Sequence, residues 1–152
     1  RRCSYLRDQP ATAYEQRLAR SEPTAGFAVV LDRSTNLMWQ GCSAGQTGAA
    51  CTGSASLKSW LQALQYCEVQ DWAGFVDWRL PNIKELRSLA DNRLSNPALD
   101  PTAFPGASPT KHWSSTSLTA SATSAWYVNF LQGRLDDNVK TSTFAVRCVR
   151  TP

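Results

Sequence analysis

The sequence predicts an α+β fold, and three observations carry that expectation. Segments rich in Val, Phe and Trp, typical of strands, stand near both ends of the chain. Between them, two stretches repeat apolar residues at helical spacing. Pro97, Pro101, Pro105 and Pro109 then mark a long loop that separates the helices from the late strands. The resulting order is a hairpin, two helices, a loop and antiparallel strands.

The 152 residues suit one domain, and 42% hydrophobic content is enough for a core. Residues 1–25 have weak periodicity and are expected to form an N-terminal arm on a domain covering 26–152. Within the arm, Thr12 to Arg20 suits a short helix or an irregular strand. Phe27 to Leu31 and Leu37 to Gln40 read as paired strands around the turn Asp32 to Asn36. Asn36 sits where a positive φ is useful, and Asn tolerates that conformation.

Cys42 to Cys51 encloses small, polar, glycine-bearing residues. A Cys42–Cys51 bridge would close this short loop and stabilise it by about 2–3 kcal/mol. Leu57, Trp60, Leu61, Leu64 and Cys67 predict a first helix over 57–69 with Ser56 as N-cap. Asn82 and Glu85 have the offset of a capping box for a second helix. Ile83, Leu86, Leu89 and Ala90 line its inner face, and it is expected to end near Asp91 or Asn92.

Strands resume at His112 to Thr116. Trp126 to Phe130 alternates, so Trp126, Val128 and Phe130 share one face while Tyr127 and Asn129 share the other. Gln132-Gly133 makes a turn, Arg134 to Lys140 is the partner strand, and Phe144 to Arg150 closes the chain. Trp39, Trp60, Trp113 and Trp126 are expected in the core. Trp78 and Leu80 are expected under the second helix, with Asp77 and Arg79 satisfying loop backbone groups.

The chemistry on offer is sparse. A net charge of +4 is compatible with an acidic partner such as a sulfated glycan. It carries no basic run beyond Arg1-Arg2 and no recognition helix, so nucleic acid is not an expected partner. No stretch approaches the ~20 apolar residues of a membrane span. The start at Arg1 suits a mature segment whose upstream part has been removed.

None of the five cysteines, Cys3, Cys42, Cys51, Cys67 and Cys148, forms a C-x-x-C pair, and the lone histidine, His112, is remote from them. Disulfides in an oxidising compartment explain this spacing better than zinc, with at least one thiol left over. His112, Ser114 and Ser115 lack the partners of a catalytic constellation. Asp136, Asp137 and Asn138 are too closely spaced for a calcium loop and read as a solvated turn. No enzyme activity, cofactor or metal is expected.

Several strings together are similar to one family. Leu31-Asp32 through Thr35-Asn36-Leu37-Met38-Trp39-Gln40 resembles its opening hairpin, with Asn36 in place of the family glycine. Asp77-Trp78-Arg79-Leu80-Pro81-Asn82-Ile83-Lys84-Glu85-Leu86 resembles its central signature. Trp113-Ser114-Ser115-Thr116, Trp126 to Phe130 and Val146 to Arg150 resemble its closing motifs. The family is the bacterial Lcl C-terminal domain, and the resemblance runs from about Phe27 to Arg150.

This resemblance implies a C-type-lectin-like fold and an extracellular or cell-surface location. It implies binding of glycosaminoglycan-type glycans or of protein receptors, and access to a homotrimer. It also implies a bridge from the first helix to the last strand, Cys67–Cys148, which leaves Cys42–Cys51 as the second pair and Cys3 over. No Glu-Pro-Asn or Gln-Pro-Asp triplet occurs, so a calcium-mediated sugar site is not expected. The ligand-binding residues are expected on the outer face of the late strands and their turn. They are Tyr127, Asn129, Gln132, Arg134, Asp136, Asn138 and Lys140, an aromatic platform with amides and mixed charge.

Overall fold

A computed structural model describes residues 17–152. Cys3 and most of the proposed arm lie outside the described residues. Leu18–Thr24 forms strand β1, which pairs antiparallel with β2 (Phe27–Asp32), so the arm's last part is an edge strand of the main sheet. β3 (Leu37–Gln40) returns from β2 with Val30 opposite Trp39. Asn36 has φ 57°, as its place in the turn requires. The short β7 (Val149–Arg150) completes the sheet in the order β1-β2-β3-β7.

Helix α1 spans Trp60–Glu68, three residues later than expected, and its N-cap is Ser59 rather than Ser56. Lys58 exchanges backbone hydrogen bonds with Phe144, at 2.8 and 2.9 Å, which holds the chain extended just before the helix. Ser59 and Gln62 then form a reciprocal capping box. Ala63 and Cys67 face the core, whereas Leu57 and Leu61 are exposed.

Helix α2 (Ile83–Ser88) starts at the expected Asn82–Glu85 capping box. It stops earlier than the spacing suggests, because the Asp91 N–H leaves to bond the Ala98 carbonyl. Leu86 and Leu89 are buried, as their spacing requires.

A second antiparallel sheet contains β4 (Lys111–Ser117), β5 (Ser124–Asn129) and β6 (Arg134–Val139) in that order. The expected closing strand over Phe144 to Arg150 shrinks to two residues. The preceding stretch serves as a seam between the sheets. The Val146 and Cys148 carbonyls accept from Ala44 and Gln40, while Ala145 exchanges bonds with Lys111 and Trp113.

The core has two clusters. One holds Val29, Cys67, Trp72, Trp78, Trp113, Tyr127 and Cys148; the other holds Val30, Trp39, Leu86, Leu99, Phe104, Val128 and Phe130. Val29 and Val30 of β2, and Tyr127 and Val128 of β5, thus enter opposite clusters, so both strands are packed on both faces at these positions. Cys42–Cys51 and Cys67–Cys148 are bonded, with sequence separations of 9 and 81. The two helices on antiparallel sheets and the two bridges form the α+β plan expected of a lectin-like domain.

Candidate functional site

Register decides which side chains share a surface. Asn129 stands between Lys111 and Arg134, Tyr127 between Trp113 and Asp136, and Ala125 stands opposite Asn138. Directly paired residues project to the same side. Tyr127, Asn129, Arg134, Asp136 and Asn138 therefore do share one side of the sheet, and Lys111 joins them.

Tyr127 is nevertheless not an exposed platform. Its residue exposure is 6% and its ring centroid lies 5.0 Å from that of Phe144. The Lys111 ammonium sits 5.3 Å from the same ring. Trp126, expected in the core, is only partly buried and borders open space beside α2. The alternation is right, but the later segment around Phe144 covers the Tyr127 side.

The remaining expected contacts divide by role. Asn129 Oδ1 accepts from the Leu131 N–H, and Asn138 Oδ1 accepts from Val139 and Ser142, so both amide oxygens shape local backbone. Gln132 and Arg134 are exposed at the β5–β6 turn, and Asp136 is exposed on β6. Asp136, Asp137 and Asn138 lie within a strand rather than a turn. Lys140 is half-buried, with its ammonium 3.9 Å from the centroid of the Trp60 ring and 2.7 Å from the Ala122 carbonyl.

Lys58 and Lys111 were not singled out from the sequence, yet both belong to this region. Lys58 lies over Tyr66 at 5.0 Å, and Lys111 lies over Phe144 at 5.4 Å as well as over Tyr127. Neither they, Lys140 nor Arg134 takes part in an ion pair among the described residues. Their positive charges rest on aromatic faces or in solvent and are not neutralised by a neighbouring carboxylate. No local sequence signal shows this, because Lys58 meets Phe144 only through the fold.

Elsewhere the polar groups are occupied by structure. Arg17 and Asp32 form a bidentate pair at 2.9 and 2.7 Å. Burial works to raise the Asp32 carboxyl, but bonds from Arg17 and Ser34 overcome it and hold the group at about 2. Asp77 pairs with Arg150, and Arg79 with Glu85, rather than with loop backbone. Trp78 and Leu80 pack in the cluster of Cys67 and Cys148 rather than in that of Leu86 of α2, and the Trp78 indole donates to the Trp72 carbonyl. A groove of about 800 Å³ beside β1 is lined by Arg17, Arg20, Asp91, Arg93 and Asp100, whose charged ends are bonded within the chain.

His112 is 1% exposed, with Nε2 2.9 Å from Ser43 Oγ and Nδ1 3.2 Å from the Thr110 carbonyl oxygen. Burial, reinforced by the Arg147 charge, lowers its pKa to about 3. Arg147 is buried beside it, donating to the Gln40 carbonyl and to Ser43 Oγ, with its guanidinium over Phe104 at 4.6 Å. This is an interior hydrogen-bond network that ties the seam to β3. Among the described residues, no group of three or more His, Cys, Asp or Glu is placed to hold a metal ion. No helix among them is long and apolar enough to cross a membrane.

A family model described as the Lcl C-terminal domain matches residues 28–150. The chain belongs to that family. No curated protein matches it. Membership in the Lcl C-terminal domain family fits a recognition module. Within this Lcl domain, the matched span starts inside β2 and ends in β7, so it includes the whole β4-β5-β6 sheet, both helices and both disulfides, while edge strand β1 lies before it.

Proposed function

We propose that this Lcl domain is a non-catalytic recognition module that works outside the cell and binds polyanionic glycans of the glycosaminoglycan type. The observation that carries the reading is the set of cations Lys58, Lys111, Arg134 and Lys140 around the β4-β5-β6 sheet and the Phe144 segment, none of which has an ion-pair partner among the described residues. Arg134 opens β6 and Lys140 follows its last residue, about 20 Å apart at the rise of an extended strand. That separation suits an extended chain of repeated negative charges better than a small ligand. Asp136 lies between them, so the attraction is concentrated at the two ends.

A protein receptor gripped through Tyr127 is disfavoured, because the ring is buried under Phe144. The two disulfides fit an oxidising location. A homotrimer would repeat the cationic set three times and raise avidity for a polymer.

The test is retention on immobilised heparin with a salt gradient, alongside a mass measurement by light scattering. Wild-type protein should be retained at low salt and elute as salt screens the contacts. Arg134→Ala with Lys140→Ala should elute at clearly lower salt. Flow-through of folded wild-type protein at low salt would remove the reading.

A further inference from the structure

The reverse side of the same sheet carries a second arrangement that the polyanion reading does not use. Trp126 and Leu135 project there from β5 and β6, and Ile83 meets them from α2. Together with Lys84 and Arg87 they line a depression of about 240 Å³. Lys84 and Arg87 are three residues apart on α2, so they rise on one side of the helix. Both are exposed, and neither has an ion-pair partner among the described residues.

The one acid on α2 cannot neutralise them. Glu85 places its two carboxylate oxygens 2.7 and 2.8 Å from the Arg79 guanidinium and also accepts from the Asn82 N–H. Asp137 stands directly across from Trp126 on edge strand β6, and so projects to the same side of the sheet. The depression therefore has an apolar, aromatic floor and two free cations on the α2 side. The Asp137 carboxylate is not part of that lining; register places it on the same side of the sheet, on β6 next to Trp126.

We infer that this depression is a binding subsite for a single carboxylate-bearing sugar ring. The ring's C–H face would lie on the Trp126 indole, where polarised C–H groups meet the negative face of the aromatic system. Its carboxylate would meet Lys84 and Arg87 through charge-assisted hydrogen bonds. A ring hydroxyl would donate to Asp137. A neutral sugar gains the stacking and the hydroxyl bond but leaves both cations unmet, and a purely apolar ligand leaves the cations and Asp137 unmet. The inference extends the saccharide reading to a different face, with different residues.

The test follows the Trp126 indole N–H resonance of the 15N-labelled domain. Methyl glucuronide, N-acetylneuraminic acid and methyl glucoside are titrated separately at matched ionic strength. A shift with the first identifies a hexuronate, and a shift with the second identifies a sialic-type acid. Either supports the subsite if the glucoside binds roughly tenfold more weakly or not at all. Lys84→Gln with Arg87→Gln should weaken the acidic sugar by about tenfold or more, with the amide spectrum otherwise preserved. Equal binding of glucoside and acids, or no Trp126 response to either acid, overturns the inference. Arg134→Ala with Lys140→Ala should leave the Trp126 response unchanged. Heparin retention without a Trp126 response sinks this inference alone; the reverse result sinks only the polyanion reading.

Discussion

Tyr127 lies directly across the β4–β5 ladder from Trp113, and Phe144 covers both rings, with centroids 5.0 and 4.5 Å away. This three-ring cluster joins the late sheet to the segment that carries Cys148. It makes Tyr127 a packing residue and leaves its neighbour Trp126 as the aromatic group on a surface.

Tyr127→Ala should therefore act on stability. Removing a buried aromatic ring costs about 3–5 kcal/mol. Urea denaturation should show that loss, while Arg134→Ala, at an exposed strand end, should stay within about 0.5 kcal/mol of wild type. Similar stabilities for the two variants would contradict the packing role of Tyr127.

The two disulfides should differ in weight. Cys67–Cys148 closes a far longer segment than Cys42–Cys51, with separations of 81 and 9. Loop-closure entropy assigns about 4–5 kcal/mol to the first and about 3 kcal/mol to the second. Paired Ser variants compared by chemical denaturation should keep that order. Arg20 also supports the small loop, bonding the Gly41, Ala49 and Ala103 carbonyls, so its reduced form should stay attached to the body of the domain.

His112 makes stability depend on pH. In the fold its pKa is lowered to about 3, by burial first and then by the Arg147 charge. The unfolded side chain takes a proton near pH 6.5. Below that value the unfolded state gains a proton that the fold refuses, so stability falls as pH drops from about 6.5 toward 3. The slope is about 1.4 kcal/mol per pH unit for one such group. Asp32, held at about 2, adds its own loss only below the unfolded carboxylate range. Burial works to raise the Glu85 carboxyl, but the Arg79 and Asn82 bonds hold it below its ordinary value, so it begins to contribute nearer pH 4.5. Denaturation between about pH 6.5 and 5.5 thus isolates the histidine, and His112→Gln should flatten the slope there. An unchanged slope in that variant would assign the dependence to another group.

Gly41 tests how tightly β3 runs against β2. A Cβ at this position would stand 2.7 Å from the Ala28 Cβ and from the Ala28 carbonyl oxygen. Neither atom belongs to a flexible side chain, so backbone must shift. Gly41→Ala should destabilise by about 1–3 kcal/mol in thermal or urea unfolding. Gly48→Ala would meet no clash, since nothing lies within 4 Å of its Cβ position; only its φ of 82° opposes the change.

Much of the fold was legible because its signals are local. The Asn82–Glu85 capping box needs only four residues, and the Asn36 turn needs one side chain that tolerates positive φ. Alternation over 126–130 placed Trp126 with Val128 and Tyr127 with Asn129 on their correct sides. The start of α1 was misplaced because Lys58 is held extended by Phe144, a partner 86 positions away in the chain.

The sequence by itself determined the class of fold, the order of the hairpin, helices and late strands, and the two-sided alternation of residues 126–130. Period and capping depend on neighbours within a turn or a strand, so those features are written in short strings. Only the tertiary structure decided which face is covered and which cations remain without a counter-charge. The Phe144 segment shields Tyr127 from solvent, and Glu85 turns to Arg79, leaving Lys84 and Arg87 unneutralised. Burial and charge pairing depend on atoms brought together from distant parts of the chain, and no local pattern contains them.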